Sequence, residues 1–269
     1  MVVKIVAAKN HQPTKRLADI VGLPQSTVQE GRSGLDKLYT EVLQVAFLDE
    51  QADDEFYSCF KSVVGAVILV FNPLSIPALS DILEISDIPT TLRSLHSFLI
   101  VPTNQFGETP ISVPHKSFPD FLTDPKWCTD NWFFINSPIC HRDILLLCLK
   151  IMNGGLKRNI CQLDDFVNLK EVKDLPAQRA TYIGDALKYA CQFWATHLVE
   201  SVSSGSDVEE VQKAIDGFFT TCFLFWLEAL SLLEKLGVGA YILKNVDQWY
   251  MQVGHVWRMC ESFLMLTSI

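Results

Sequence analysis

Residues 208–235 form the apolar segment that most constrains what this chain can fold into. One stripe at helical spacing is apolar, and it comprises Val211, Ile215, Phe218, Cys222, Phe225, Trp226, Ala229 and Leu233. The reverse side is apolar as well, through Phe219, Phe223, Leu224, Leu227 and Leu230. A helix that is apolar on both sides is buried, so we expect neighbouring helices to cover this segment at the centre of a bundle.

The same segment does not predict a membrane span. Its longest apolar run, residues 218–233, is shorter than the roughly 20 residues that a spanning helix needs, and it contains Glu228. Further helices with a 3.6-residue period are predicted at 139–153, 177–200 and 239–266. We therefore expect residues 139–269 to form a helical bundle or solenoid-like domain, with no membrane partner.

The N-terminal half has a different order of elements. Residues 1–34 are weakly patterned and predict a leader or linker, and an amphipathic helix follows from Leu35. Three more helices are predicted from Asp54, Ser75 and Asp87. The Ser75 side chain can cap the second of them, and Pro89 lies in the first turn of the third. Two strands, 98–101 and 111–113, then predict a β-hairpin, and three helices followed by a hairpin is a winged helix-turn-helix order.

The predicted fold class is therefore mainly α: a winged helix-turn-helix with a small β-hairpin, followed by an α-helical bundle or solenoid-like domain. Residues 35–123 form the helix plus winged-helix domain. Residues 124–138 are irregular and aromatic, and they are interpreted as a connector that contains the domain boundary.

The segment His115–Asp124 directly follows the predicted hairpin. Ser117 and Asp120 are three residues apart, which indicates a variant capping box and a short helix over 118–123 that Pro125 ends. Phe121 and Leu122 lie on this short helix. His115 stands alone at a strand end, and spacing by itself assigns it no chemistry.

Charge and cysteine usage exclude several classes of partner. A net charge of −9 opposes a nucleic-acid partner, because that affinity comes mainly from Lys and Arg neutralising phosphates. Eight cysteines without a Cys-x-x-Cys pair are typical of reduced, buried thiols in a cytoplasmic protein. Cys128, Cys140 and His141 have no fourth ligand at a suitable spacing, so no metal site is expected.

Motifs that support catalysis are missing from the sequence. It contains no Gly-x-x-x-x-Gly-Lys-Ser/Thr loop for phosphates, no Gly-x-Ser-x-Gly elbow and no His-Glu-x-x-His pair. We expect that the chain is not an enzyme and has no catalytic residue.

With these elements in place, the chain resembles fungal NACHT-type STAND proteins, the relatives of animal and plant NLR and apoptosome proteins. The resemblance covers roughly residues 14–266. Besides His115–Asp124, it rests on Leu35–Tyr39, Phe71–Ser75, Leu92–Ser97 and Asp185–Trp194.

The resemblance implies a role for one residue. In that family a nucleotide-binding domain precedes the winged helix, and the winged-helix histidine reaches the β-phosphate of bound ADP. His115 is the matching position, and it is the nucleotide-sensor candidate; Ser117, Asp120, Phe121 and Leu122 support the motif. The P-loop domain of the family is missing upstream, so no cofactor is expected unless a separate nucleotide-binding domain supplies ADP or ATP.

The expected function is a non-catalytic regulatory or protein-interaction module in signal transduction, as a fragment or truncated paralogue of a fungal STAND protein. Its expected partner is a NACHT domain or a full-length relative. One alternative is a free-standing helical adaptor for a peptide or partner helix, which exposed aromatics among Trp249, Tyr250 and Trp257 would favour. A DNA-binding winged helix is less favoured, because residues 88–97 offer only Arg93 and His96 to a phosphate backbone.

Overall fold

The computed structural model describes residues 28–47, 53–104, 107–164, 169–201 and 206–254. These residues are mainly α-helical, which confirms the predicted helical class. They form two compact units. The first contains the described residues up to Ser80 together with Glu84–Asn136, and the second contains Asp81–Leu83 together with the described residues from Ser137 onward.

Five helices precede residue 137. They are α1 (Val28–Ala46), α2 (Asp54–Leu69), α3 (Ile76–Leu83), α4 (Ile88–Arg93) and α5 (Ser117–Thr123). Helix α1 begins at Val28, before the predicted start at Leu35, and residues 1–27 of the predicted leader lie outside the described part of the chain.

Local capping explains where three of these helices begin. The Asp53 carboxylate accepts hydrogen bonds from the backbone N–H groups of Glu55 and Phe56 at the start of α2. Ser75 accepts from Ala78 N at α3, and Asp87 accepts from Thr90 N at α4. The predicted cap at Ser75 is thus confirmed, and Asp87, the predicted start of the third helix, serves as its cap.

The predicted β-hairpin is not formed as a pair of strands in the described residues. Its pairing is reduced to two isolated antiparallel bridges, Ser75 with Pro110 and Ile100 with Ser112. The two bonds of the second bridge measure 2.9 and 3.1 Å. Pro102 and Pro114 flank this bridge, and because proline has no N–H to donate, the ladder cannot extend past them.

Aromatic side chains fill the core of the first unit. Phe60 and Phe133 are fully buried, and the Trp132 ring lies 4.9 Å from each of theirs, centroid to centroid. The Lys61 ammonium donates to the backbone carbonyls of Asn131 and Phe134, which fixes the same segment. Residues 124–136 therefore pack as part of the first unit.

The second unit contains six further α-helices among its described residues. They are α6 (Ser137–Gly155), α7 (Leu175–Tyr182), α8 (Asp185–Glu200), α9 (Ser206–Thr221), α10 (Phe223–Leu232) and α11 (Leu236–Gln252). Helix α8 packs against α6, α10 and α11, so it holds the central position that residues 208–235 were expected to hold. The fourth predicted helix is described only as far as Gln252, and residues 255–269 lie outside the described chain.

Two of the predicted helices are interrupted. The helix predicted at 177–200 breaks at Ile183–Gly184. Glycine is a weak helix former, and Gly184 directly precedes the acidic Asp185 that starts α8. The helix predicted at 208–235 breaks at Cys222, where α9 and α10 meet at 74°. Thr220 and Thr221 each donate a hydroxyl to the carbonyl four residues earlier, and such bonds destabilise and bend helices.

Aromatic packing dominates the second unit as well. Trp194, Phe218 and Trp226 are fully buried and lie within 6.3 Å of one another, ring centroid to centroid. The Trp226 indole N–H donates to the Cys191 carbonyl at 2.9 Å. In the described chain no single helix is long and apolar enough to cross a membrane; α9 and α10 reach that length only when the bent pair is counted together.

Candidate functional site

His115 lies on the surface of the first unit, directly before α5. Its side chain is exposed, as is that of Lys116. The His115 carbonyl accepts a hydrogen bond from Phe118 N at 3.1 Å, so the backbone at the histidine is tied to the first turn of α5. An exposed imidazole on a fixed backbone is able to donate an N–H to an external acceptor.

The predicted capping box at Ser117 and Asp120 is wrong. Ser117 lies inside the helix as its first residue, and the cap position is Lys116, which makes no side-chain cap hydrogen bond. The Ser117 hydroxyl instead pairs with the Tyr39 hydroxyl at 2.9 Å. Asp120 lies in the first helical turn, where a carboxylate is favoured by the helix dipole.

The apolar residues of the motif anchor α5 in the core. Phe121 is 1% exposed and Leu122 is fully buried. The Phe118 ring stacks on Phe98 at a centroid distance of 4.6 Å, and the Tyr39 ring contacts Phe118 and Phe121 edge-on or tilted. The motif thus separates into an anchored apolar side and an exposed basic end at His115 and Lys116.

The segment that would have to bind DNA offers few exposed basic side chains. Helix α4 has six residues, and Arg93 and His96 are the exposed basic or potentially basic groups that the sequence offers between residues 88 and 97. Such a short helix presents little surface to a major groove.

The adaptor alternative required exposed aromatic side chains in the last helix. Trp249 is 5% exposed and Tyr250 is 2% exposed, so both belong to the core. The Tyr250 hydroxyl donates to the Asp216 carboxylate at 2.6 Å, and Trp257 lies outside the described residues.

Comparison with known proteins gives one informative result. The chain is 28% identical over 250 residues to the vegetative incompatibility protein HET-E-1 of Podospora anserina. The similarity supports a fungal NLR-like relationship. The matched region covers 84% of this chain but 17% of HET-E-1, so the chain spans about a sixth of that relative's length.

The other comparisons return no match. No family model matches the chain. No solved structure matches it with statistical significance. The proposal of a function below therefore draws on the similarity to HET-E-1.

Cys128, Cys140 and His141 are the residues that the sequence offers as conceivable metal ligands. Cys128 belongs to the first unit, and Cys140 and His141 belong to the second. Across the described ranges, no group of three His, Cys, Asp or Glu side chains is placed to hold a metal ion. Burial raises the pKa of the Cys128 thiol to about 11, which disfavours the thiolate that a metal would require.

The structure brings together three polar side chains that the sequence pattern did not indicate. His141 on α6 and His197 on α8 lie with their Nδ1 atoms 2.7 Å apart. The Tyr189 hydroxyl lies 2.7 Å from Nε2 of His197. The two histidines are 56 residues apart in the sequence, so no local spacing could have predicted the contact.

Proposed function

We propose that this chain is a non-catalytic regulatory and protein-interaction module of a fungal STAND-type signalling system, acting in the cytoplasm. It works either as part of a larger switch or together with a full-length relative. The observation that carries the proposal is the placement of His115: exposed, and held on a backbone that is bonded to an anchored helix. The similarity to HET-E-1 supports the same assignment.

The first unit is proposed to be a reduced winged helix. Helices α2, α3 and α4 precede the bridge of Ile100 with Ser112, in the order that a winged helix-turn-helix requires. Pro110 pairs with Ser75, and Ser112 pairs with Ile100. The two bridges thus join three short segments of the chain. The prolines beside the bridge of Ile100 with Ser112 account for its short length.

The proposed partner of this unit is a NACHT domain. His115 would donate an imidazole N–H to a phosphate oxygen of ADP held by that domain, and the adjacent anion would favour the protonated ring. The chain itself supplies the donor and not the nucleotide pocket. Residues Phe118, Phe121 and Leu122 act as positioning residues, because they fix α5 in the core.

The test is association of the purified chain with a separately expressed fungal NACHT domain, measured by size-exclusion chromatography with light scattering. We expect a complex that is more populated with ADP than without it. The variant His115→Ala is expected to lose the ADP effect, and His96→Ala, which alters another exposed histidine of the same unit, is expected to keep it. No complex with or without ADP would contradict the proposal.

A further inference from the structure

The second unit contains a buried polar cluster between two of its helices. His197 is fully buried on α8, and His141 is 7% exposed on α6. Tyr189 is 2% exposed and lies on α8, about two turns before His197. The Nδ1 atoms of the two imidazoles lie 2.7 Å apart, and the Tyr189 hydroxyl lies 2.7 Å from Nε2 of His197. We refer to His141, His197 and Tyr189 as the histidine latch.

Hydrogen-bond chemistry limits how many protons the latch can hold. A close contact between two Nδ1 atoms needs one N–H donor and one bare acceptor nitrogen. If His141 donates, Nε2 of His197 carries its proton and donates to the Tyr189 oxygen. If His197 donates, the Tyr189 hydroxyl donates to Nε2 instead. In both neutral arrangements the two Nδ1 atoms and Nε2 of His197 have suitable partners.

One added proton leaves these contacts intact. A charged His141 still donates from Nδ1 to the bare Nδ1 of His197, and His197 still donates from Nε2 to Tyr189. The carboxylate of Glu200 acts on His141 and opposes the effect of burial on its pKa, which favours His141 as the site of the first proton. The burial effect is the larger one, and it lowers the pKa of His141.

A second proton cannot be held in the same geometry. Both Nδ1 atoms then carry N–H groups that point at each other, and two positive charges lie inside the helix pair. Burial, with the neighbouring His141 as a smaller cause, lowers the pKa of His197 to about 3. Protonation of His197 therefore requires the two helices to separate.

Arg142 and Glu228 are charged side chains of the second unit with partners outside the latch. Arg142 on α6 pairs with Asp143 and Asp207, and Glu228 on α10 accepts from the backbone N–H groups of Asn159 and Ile160. On α11, the Lys244 side chain is exposed and that of Asp247 is half-buried. The Glu200 carboxylate acts on His141.

We propose that the histidine latch is an acid-sensitive switch, in which α6 stays packed against α8 while the two imidazoles share a proton and separates from it when both are charged. This role does not depend on the proposed function, because it concerns the second unit alone. The first unit holds its own described histidines, His96 and His115, at the surface.

The sign of the pH effect follows from the lowered pKa values. A histidine that is kept neutral by folding binds more protons in the unfolded chain, so opening becomes more favourable as pH falls below the ordinary value of about 6.5. Between pH 7.5 and 5.5 one such histidine raises the opening constant about tenfold. For His197 opening continues to become more favourable until the pH approaches its lowered pKa of about 3.

The test is hydrogen exchange of the full chain, followed by mass spectrometry at pH 7.5 and 5.5 and corrected for the intrinsic dependence of exchange on pH. We expect protection of peptides from α6 and α8 to fall at least about tenfold at pH 5.5, while peptides from α2 in the first unit change less than about threefold. In the double variant His141→Asn/His197→Gln, protection of α6 and α8 is expected to fall by less than about threefold between the two pH values. The control variant His96→Gln is expected to show the same fall in protection as the wild type.

Two outcomes would overturn the switch. One is a folded double variant that keeps the wild-type fall; the other is a wild-type chain in which α2 loses protection as much as α6 and α8. If the double variant does not fold at pH 7.5, nitrogen NMR of the wild-type histidines replaces it. His197 must then be neutral at pH 6, and a His197 ring that titrates near the ordinary histidine pKa of about 6.5 overturns the proposal.

Discussion

The Tyr39 hydroxyl and the Ser117 hydroxyl lie 2.9 Å apart, joining α1 to the first residue of α5. The two residues are 78 positions apart in the sequence, and the Tyr39 ring is 2% exposed. The contact holds the start of the helix on which the His115 segment depends.

We predict that Tyr39→Phe lowers the free energy of unfolding by about 1 kcal/mol, because the ring packing stays and one hydrogen bond is lost. Urea unfolding measures the change. Ser117→Ala should cost a similar amount, and the double variant should cost less than the two together, since both single changes remove the same bond. Additive costs would show that the hydroxyls do not interact.

Trp226 is predicted to be among the most sensitive positions of the second unit. It is fully buried, contacts Trp194 and Phe218, and donates its indole N–H to Cys191 O. Trp226→Ala should lower the free energy of unfolding by about 3–5 kcal/mol through loss of packing. Leu224→Ala is the control on the same helix, because Leu224 is 72% exposed and should change stability by less than about 0.5 kcal/mol. Equal costs at the two positions would contradict the packing of α10.

Glu228 is predicted to stabilise a turn and not a catalytic reaction. Its carboxylate accepts from Asn159 N at 3.1 Å and from Ile160 N at 3.2 Å, where Asn159 adopts a positive φ of 50°. Glu228→Ala should lower the free energy of unfolding by about 1.5–3 kcal/mol, because bonds to a charged acceptor are lost. Glu210→Ala, at an exposed position of α9, is the control and should cost little in the same denaturation experiment.

Thiol reactivity should follow burial. Cys148 and Cys191 are fully buried, and burial raises the pKa of both thiols, that of Cys191 to about 12. Cys59 and Cys140 are partly exposed. With iodoacetamide at pH 8, peptide mass spectrometry should find Cys59 and Cys140 modified first and Cys148 and Cys191 only after denaturation. Early modification of Cys191 in the folded chain would contradict its placement.

Much of the helical architecture could be predicted from sequence, because helix starts are local events. The helix predicted at 139–153 is observed as Ser137–Gly155, and the caps at Ser75 and Asp87 lie where short-range chemistry predicts them. The same reasoning failed at Cys222, where the helix breaks. The apolar periodicity does not show that the hydroxyls of Thr220 and Thr221 bond to the backbone carbonyls four residues earlier.

Contacts between distant residues could not be predicted in this way. The pairing of Ser117 with Tyr39, which replaces the predicted capping box, joins α5 to α1. The histidine latch joins α6 to α8 across 56 residues. Proline spacing around residues 102 and 114 could have indicated that the predicted hairpin would be cut short. The choice of His115 as a candidate rests on the family resemblance, because the spacing around a single histidine does not indicate a function.

The most direct measurement is calorimetric titration of the purified chain with a separately expressed fungal NACHT domain, in the presence and absence of ADP. If His115 contacts a phosphate of the bound nucleotide, ADP must tighten the association, and a coupling of about 1–3 kcal/mol corresponds to roughly 5–150-fold in Kd. The account predicts at least about fivefold tightening for the wild type and for His96→Ala, and almost none for His115→Ala. No association under either condition, or an ADP effect that survives His115→Ala unchanged, would contradict it.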